Sequence, residues 1–405
     1  MNKTDLIIIG AGPGGYRAAE YAAKQGLKVV IFESSEVGGT CLNVGCIPTK
    51  TYVHSATFDE ARERMVAVVA QLRQGVEGIL SHPNITLVRE KGVFVDAHTV
   101  GDYTADNIII ATGSETKWLP IKGADDPRVV DSTGLLLLET LPKRLAIIGA
   151  GVIGMEFASV FNRFGSEVTV IEYLKECLPA LDSDIAKRLR KYLEKQGITF
   201  KMKTAVEDIA DIDADVVLMA TGRKPRVQAD FANAGIEYDE RNGVIVDENF
   251  MTTINGVYAI GDVNGKQMLA HAAEMQAIRA VNQIIGKKDG IDFSIMPAAI
   301  FTQPEAACVG PTEDQLKEQG VSYECKKSFW RANGKALAMG ETEGLLKLFV
   351  SPDGLILGCH AYGAHSADIM QEVSGLMCKH TTISELADMV HIHPTLSEIL
   401  KSAVE

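Results

Sequence analysis

The strongest constraint on the fold is a strand–turn–helix–strand unit that occurs twice in the sequence. In the first copy, an apolar run at residues 6–9 precedes Gly10, Gly12 and Gly15, and a helix-compatible stretch and a second strand then lead to Glu33. This order is typical of a dinucleotide-binding unit, because the three glycines permit a tight turn, close approach to a pyrophosphate, and close helix–strand packing. Glu33 is placed to accept hydrogen bonds from a ribose.

The second copy follows the first without gaps. Gly149, Gly151, Gly154 and Glu172 each lie 139 positions after their counterparts (149 − 10, 151 − 12, 154 − 15 and 172 − 33). A gapless repeat of a whole unit predicts two separate dinucleotide sites. The alternative is one cofactor site and one scaffold repeat that binds nothing. The acidic Glu172 favours the free 2′-hydroxyl of NAD over the 2′-phosphate of NADP.

Ligands of doubly wound sheets bind where strands end, and three further segments of this chain stand at such ends. Two buried strands, at 107–111 and 216–220, both lead to a Thr-Gly pair. Asp262 follows another strand, at 257–260. Its carboxylate suits a sugar-like hydroxyl chain, and the alternative is that Asp262 caps a helix formed by the apolar stretch after it.

The segment GGTCLNVGCIPTK, residues 38–50, contains the one closely spaced pair of cysteines, Cys41 and Cys46. Five helical residues rise about 7.5 Å, but a disulfide tolerates at most roughly 7 Å between Cα atoms. A bond between them therefore needs a broken helix, which Gly45 permits. A helix starting just after Cys46 favours a thiolate at its N-terminus, and Lys50 adds positive charge one turn later.

These features predict a redox couple. The alternatives are a pair of buried thiols or half of a metal site. Metal-ligand pairs usually have two to four residues between them and a second pair elsewhere, which this sequence lacks. No metal site is predicted.

The sequence near the C-terminus, HIHPTLSE at 391–398, brings His393 close to Glu398. An imidazole beside a carboxylate is suited to acid–base chemistry. The alternative is a final helix capped by Thr395 or Ser397, with two surface histidines before it. On these residues alone, the second interpretation is preferred.

Composition narrows the class of protein. The 405 residues allow two to four domains, and the net charge of −13 argues against nucleic-acid binding. No apolar run approaches the ~18 residues of a membrane span, and the first residues do not form a signal peptide. The other five cysteines are scattered singly, so we expect a cytoplasmic protein.

The cysteine segment, the two glycine units, the strand ends and HPTLSE together resemble the class I pyridine nucleotide-disulfide oxidoreductases, nearly from end to end. Within that family, the motifs are most similar to the branch that oxidises dihydrolipoamide. The resemblance implies an α/β fold with two doubly wound Rossmann-like dinucleotide-binding domains and a C-terminal α+β dimerisation domain. The implied boundaries are 1–120 with 246–293 for the FAD domain, 121–245 for the NAD domain, and 294–405 for dimerisation.

The resemblance also implies roles for individual residues. FAD would lie on the first glycine unit, with Asp262 on its ribityl chain, and NAD on the second. Cys41 is similar to the family's interchange thiol, and Cys46 to its charge-transfer thiol. Lys50 and Glu156 match an ion pair beside the flavin. The further implied cofactor contacts are Thr40, Thr112, Gly113, Gly222, Ala270 and His271.

In the family, the residues matched by His393 and Glu398 form an acid–base dyad that completes the active site of the partner subunit in a homodimer. The implied reaction is oxidation of dihydrolipoamide to lipoamide with reduction of NAD. The implied partner is a lipoyl domain of a 2-oxoacid dehydrogenase or of the glycine cleavage system.

Two alternatives remain at this point. One is a glutathione or mercuric reductase type of activity, and the other is a flavoprotein subunit that has lost catalysis. The chain is also shorter than typical members, with losses between residues 50 and 92 and between 203 and 215. No named motif is lost. We therefore expect these losses to affect domain rigidity and partner docking, and not the active site.

Overall fold

The computed structural model describes residues 2–405 and divides into two compact units. Unit 1 consists of the residues up to Trp118 together with Gly222–Ile291. Unit 2 consists of Leu119–Thr221 and Asp292–Glu405. Each unit contains one of the two glycine turns, so the repeat seen in the sequence is distributed between them.

The strands are short. In chain order they are β1 (Asn2–Lys3), β2 (Leu6–Ile9), β3 (Val29–Phe32), β4 (Ile85–Val88), β5 (Phe94–Asp96), β6 (Thr99–Val100), β7 (Tyr103–Thr104), β8 (Asn107–Ile110), β9 (Ser114–Thr116), β10 (Val129–Val130), β11 (Arg144–Ile148), β12 (Glu167–Glu172), β13 (Thr199–Met202), β14 (Val216–Met219), β15 (Arg223–Pro225), β16 (Tyr238–Asp239), β17 (Gly243–Val244), β18 (Val257–Ala259), β19 (Ala298–Ile300), β20 (Ala306–Val309), β21 (Glu324–Phe329), β22 (Gly344–Val350) and β23 (Ile356–Gly363).

The α-helices connect and cover these strands. In chain order they are α1 (Pro13–Lys24), α2 (Gly39–Val44), α3 (Cys46–Val53), α4 (Phe58–Leu80), α5 (Ser132–Leu136), α6 (Val152–Phe164), α7 (Ser183–Lys195), α8 (Ala270–Ile284), α9 (Glu313–Glu318), α10 (Gly334–Met339), α11 (Ser366–Cys378), α12 (Ile383–Asp388) and α13 (Glu398–Val404). Among the residues described, no helix combines the length and apolar character needed to cross a bilayer.

Unit 1 is built on a parallel sheet with the strand order β18-β8-β2-β3-β4. The central strand β2 is buried along its whole length, as expected for a parallel sheet covered on both faces. The sequence predicted this strand with the same bounds. The helical spacing of the apolar residues in 58–80 also predicts a helix there, and α4 has these bounds and begins after a Thr57 cap. A second, four-stranded sheet in this unit has the order β1-β7-β6-β5.

Unit 2 contains a parallel sheet with the order β10-β14-β11-β12-β13. Its strand β11 precedes the second glycine turn, and it lies between β12 and β14 as β2 lies between β3 and β8 in unit 1. The repeat is therefore one of topology as well as of sequence. The expected pair of doubly wound, Rossmann-like sheets is confirmed.

Residues 222–245 lie in unit 1, whereas the sequence assigned them to the second nucleotide domain. The reason is that β15 pairs with β9, from Arg223 opposite Thr116 to Pro225 opposite Ser114. In addition, Phe231 packs in the same apolar core as Ile7 of β2. The assignment of one cofactor to each domain stays a prediction.

Unit 2 also contains an antiparallel sheet with the order β19-β20-β23-β22-β21. Its core is a cluster of buried side chains around Trp330, which is fully buried and donates its indole N–H to Ala364 O at 3.0 Å. Helix α11 contributes Ile369 and Val373 to this cluster. The expected C-terminal α+β domain is therefore confirmed.

Candidate active site

The first glycine turn, between β2 and α1, has two positions that the chain itself restricts to glycine. Gly10 has φ +100°, and a Cβ there would lie 2.4 Å from Ala111 O. A Cβ at Gly15 would lie 1.8 Å from Gly10 O. At Gly12, which precedes α1, no side chain caps the helix. Because a helix N-terminus attracts anions, this turn fits a pyrophosphate.

The second glycine turn, between β11 and α6, has the same construction. Gly149 has φ +104°, and its Cβ would lie 2.5 Å from Ala220 O, whereas a Cβ at Gly154 would lie 2.1 Å from Gly149 O. A Cβ at Gly151 would meet no atom within 4 Å. Open space therefore adjoins the N-terminus of α6, which has no side-chain cap and no acidic residue in its first turn. These residues fit a second dinucleotide.

The two acidic residues are held by matching hydrogen bonds. Glu33 Oε2 accepts the Ala11 N–H at 2.8 Å, and Oε1 accepts the Ser35 N–H at 2.9 Å. Likewise, Glu172 Oε2 accepts the Ala150 N–H at 2.6 Å, and Oε1 accepts the Leu174 N–H at 2.7 Å. Each carboxylate is thus fixed against its glycine turn, where a ribose of the bound dinucleotide is expected.

The segment with the two cysteines folds as two short helices separated by Gly45. Helix α2 carries Cys41, and α3 begins at Cys46. Gly45 has φ −135° and ψ −113°, outside the helical region, and a Cβ there would lie 2.8 Å from Thr40 O. The expected break at Gly45 and the expected position of Cys46 at a helix N-terminus are both confirmed.

This segment packs directly on the first glycine turn. Gly38 donates its N–H to Ala11 O at 2.8 Å. Gly39, which has φ +61°, approaches so closely that a Cβ there would lie 2.7 Å from Gly12 Cα. The cysteines are therefore held next to the turn that fits a pyrophosphate.

The two sulfurs interact with each other. A hydrogen bond to Cys46 raises the pKa of the Cys41 thiol, burial raises it further, and the charge of Lys50 acts in the opposite direction. Burial, together with the nearby charges of Glu274 and Cys41, raises the pKa of Tyr16 to about 12. In the dithiol form, the contact with Cys46 therefore favours the protonated Cys41 thiol.

Asp262 lies in a short 3-10 helix, Gly261–Asn264, and accepts a hydrogen bond from the Ser114 hydroxyl at 2.5 Å. It does not cap α8, because that helix begins at Ala270 with Leu269 in the capping position. The alternative interpretation of Asp262 as a helix cap is therefore wrong. His271 is exposed in the first turn of α8, and no side chain caps that turn.

The two Thr-Gly strand ends also have a common backbone form. Gly113 has φ +75° and Gly222 has φ +96°, and a Cβ at either would meet no atom within 4 Å. Thr112 donates its hydroxyl to Arg226 O at 2.9 Å. Thr40 is exposed in the first turn of α2. The cofactor contacts assigned to these residues stay predictions.

In unit 2, His393 and Glu398 form the expected pair. His393 Nδ1 lies 2.9 Å from Glu398 Oε1, while Glu398 Oε2 accepts the Thr395 N–H at 2.8 Å. The hydrogen bond from Thr395 lowers the pKa of Glu398, and that from His393 lowers it further. The His393 side chain is 79% exposed, so its Nε2 is accessible.

The alternative of a capped helix preceded by two surface histidines does not describe this segment. Ser397 stands at the capping position of α13, but its side chain caps nothing. The His391 side chain is only 7% exposed, and its Nε2 lies 3.2 Å from Glu372 Oε1. The geometry favours an acid–base pair.

Glu156 is buried in α6 of unit 2, where its Oε1 accepts the Phe301 N–H at 2.9 Å. Lys50 lies in α3 of unit 1. The ion pair that the family resemblance implies for these two residues stays a prediction. Among residues 2–405, no group of three or more His, Cys, Asp or Glu side chains is arranged to hold a metal ion.

Sequence reasoning missed a buried ion cluster in unit 2. Lys347 of β22, 2% exposed, donates to Asp182 Oδ1 at 2.7 Å and to Glu313 Oε2 at 2.6 Å. Burial would raise the pKa of Glu313, but hydrogen bonds from Lys347, Tyr323 and Lys317 outweigh it and lower the pKa to about 2. The members of this cluster are far apart in the chain, so no local pattern predicts it.

Comparisons with known proteins agree with this geometry. Residues 4–277 match the family "Pyridine nucleotide-disulphide oxidoreductase", and residues 296–404 match its dimerisation domain. The chain is 37% identical to the mitochondrial dihydrolipoyl dehydrogenase of Pisum sativum, over 99% of this chain and 91% of the relative. It is also 37% identical to leghemoglobin reductase of Glycine max, over 99% and 87%.

A solved structure is also similar to this chain in fold. The Cu(II) complex of the HOCl-induced flavoprotein disulfide reductase RclA from Escherichia coli superposes with a TM-score of 0.93 and 34% identity, over 98% of this chain and 99% of that one. The alignment with the Pisum sativum protein spans 455 positions against 405 residues here, in agreement with a shortened chain.

Proposed function

We propose that this chain, which belongs to the pyridine nucleotide-disulphide oxidoreductase family, oxidises dihydrolipoamide to lipoamide and reduces NAD. The observation that carries the proposal is the hydrogen-bonded pair of sulfurs, Cys41 and Cys46, held against the first glycine turn. The family uses FAD and a pyridine nucleotide. The bound flavin supplies the route by which the electron pair of the two thiols reaches the nucleotide.

The oxidised enzyme begins with a bond between Cys41 and Cys46. One substrate thiol loses its proton, and the resulting thiolate attacks the Cys41 sulfur. The bond to Cys46 breaks, Cys46 leaves as a thiolate, and a mixed disulfide remains on Cys41. The second substrate thiol then displaces Cys41 and closes the lipoamide ring, so that both cysteines are reduced by one electron pair.

His393 is the base for these proton transfers. Its Nδ1 faces Glu398, which leaves the exposed Nε2 to take the substrate proton. Glu398 is itself fixed by Thr395, so the imidazole keeps one orientation. In the homodimer that the dimerisation domain supports, the dyad of one protomer acts on the cysteine pair of the other.

The nucleotide is NAD rather than NADP. Glu172 stands at the end of β12, where its carboxylate accepts hydrogen bonds from a ribose 2′-hydroxyl and repels a 2′-phosphate. The protein partner is a lipoyl domain of a 2-oxoacid dehydrogenase or of the glycine cleavage system, since such a domain presents dihydrolipoamide on a mobile arm.

Anaerobic titration with dihydrolipoamide tests the proposal. The flavin-loaded dimer should develop a long-wavelength absorbance band from a thiolate against the flavin, and NAD should then remove it. The Cys46→Ser variant is the control, because it keeps the flavin site but lacks that thiolate. If the wild-type protein binds flavin but gives no band at saturating dihydrolipoamide, the proposal is wrong.

The similarity to RclA favours a second candidate, the reduction of another disulfide or of a metal ion at the expense of a reduced pyridine nucleotide. The same two sulfurs would then transfer electrons in the opposite direction, from the reduced nucleotide to the substrate. Parallel assays with lipoamide, glutathione disulfide and Cu(II) separate the two candidates, because each substrate is scored by the same change in NADH absorbance.

A further inference from the structure

The amide side chain of Asn43 ties helix α2 to the chain that precedes it. Asn43 lies two residues after Cys41, and its Nδ2 donates to Val37 O at 3.0 Å and to Gly39 O at 2.9 Å. These carbonyls flank the turn at Gly38, whose φ is +95°. Both donor positions of the amide are therefore used to hold the backbone from which Cys41 projects.

A guanidinium from the long helix α4 fixes the other end of this amide. Arg73 donates to Asn43 Oδ1 through Nε at 3.0 Å and through Nη2 at 2.8 Å. Its Nη1 lies 3.4 Å from Glu36 Oε1. The Arg73 side chain is 31% exposed, so these contacts are partly shielded from water. The guanidinium therefore joins α4 both to α2 and to the loop that precedes α2.

We propose that Arg73 is a positioning residue for the Cys41–Cys46 couple. Acting through Asn43, it holds the backbone of α2 at the distance from α3 that lets the two sulfurs close a ring. The inference rests on the proposed function, in which these sulfurs form the redox couple.

The expected effect is on the equilibrium between dithiol and disulfide. Without Arg73, α2 samples more positions in the dithiol form of the enzyme. Closing the ring then costs more conformational entropy. The disulfide is thereby disfavoured relative to the dithiol. We expect about a tenfold fall in the equilibrium constant for oxidation of the dithiol. This corresponds to a reduction potential of the disulfide about 30 mV higher.

The test is a redox titration of the flavin-loaded enzyme in glutathione buffers. Oxidation of the two thiols by glutathione disulfide releases two glutathione molecules and forms one Cys41–Cys46 bond. Samples equilibrated without oxygen are acid-quenched and alkylated, and mass spectrometry of the peptide that contains both cysteines gives the oxidised fraction. This readout does not depend on turnover.

Arg73→Gln should shift the midpoint about tenfold, and Arg73→Lys, which keeps the positive charge and a donor nitrogen on a long side chain, should shift it less. The matched control is Arg64→Gln. Arg64 also lies on α4, but it donates to His54 O and to Ser55 Oγ, at 2.5 and 2.9 Å, and not to α2. If Arg73→Gln fails to fold, Asn43→Asp replaces it, because it loses the amide donors and should shift the midpoint in the same direction.

An unchanged midpoint in Arg73→Gln would overturn the inference. Equal shifts in Arg73→Gln and Arg64→Gln would also overturn it, because the cause would then be general loosening of α4. A wild-type enzyme that never forms the ring in any buffer would instead refute the proposed redox couple, and the inference with it.

Discussion

Replacing Lys347 by methionine should destabilise unit 2 through a single removed charge. The Lys347 and Asp182 side chains are 2% and 1% exposed, and Glu313 is 23% exposed. Methionine fills nearly the same volume, so the change removes the ammonium group and little packing. Breaking a buried ion pair by deleting one partner costs about 3–5 kcal/mol, because the other charge stays buried.

The lower end of that range applies here. Asp182 keeps backbone donors after the change, because its carboxylate also accepts the N–H groups of Asp184, Ile185 and Glu313. The partly exposed Glu313 can be rehydrated. We therefore expect a loss of about 3 kcal/mol in the free energy of unfolding.

Urea denaturation followed by the fluorescence of Trp330 measures this loss. The sequence has two tryptophans, and Trp118, in unit 1, is 49% exposed. A Trp118→Phe background leaves the fully buried Trp330 as the reporter of unit 2. With an m-value of about 3 kcal/mol/M, a loss of about 3 kcal/mol lowers the midpoint by about 1 M.

Lys326→Met is the matched control. Lys326 lies in β21, the strand next to that of Lys347, and pairs with Glu324 of the same strand at 2.8 Å. Glu324 is 64% exposed. Surface pairs of this kind contribute at most about 1 kcal/mol. If Lys347→Met lowers the midpoint no more than Lys326→Met does, the buried cluster is not a source of stability and the reasoning above is refuted.

The remaining predictions concern pH, nucleotide binding and catalysis. Because the pKa of Glu313 is lowered to about 2 from 4.5, its ion pair contributes fully above pH 4.5, and the stability gap between wild type and Lys347→Met should narrow as pH falls from 4.5 towards 2 in acid denaturation curves. Gly151→Ala should fold normally by circular dichroism but raise the KM for NADH, because its Cβ enters open space at the helix N-terminus. Gly154→Ala should misfold instead, because its Cβ meets Gly149 O. Equal behaviour of the two variants would contradict this explanation. His393→Gln should retain flavin absorbance and lose about 10²–10⁴-fold in kcat, and undiminished turnover would remove it from the mechanism. Glu172→Gln should reduce the preference for NADH over NADPH in kcat/KM, and an unchanged ratio would show that Glu172 does not select the nucleotide.

Elements with a local signal were predictable from the sequence. The glycine turns, their flanking strands and the bounds of α4 follow from patterns that span fewer than about 25 residues, and the structure confirms them. The break at Gly45 also followed, because it depends on the geometry of one helix and one disulfide.

Contacts between polar groups far apart in the chain were not predictable. Lys347 and Asp182 are 165 positions apart, and Arg73 and Asn43 are 30 apart. A lysine in an apolar strand or an arginine in an amphipathic helix is compatible with many partners. The short pairing of β15 with β9 likewise has no sequence pattern of its own.

The packing of Gly39 on Gly12 has a consequence for how the sulfurs move. On one side the main chain of α2 rests against the glycine turn, and on the other Asn43 ties it to Arg73. A main chain anchored at two places has little freedom to swing. If Cys41 and Cys46 form the proposed redox couple, its ring would open and close by torsion about the Cα–Cβ bonds of the two cysteines, with the peptide scaffold unchanged.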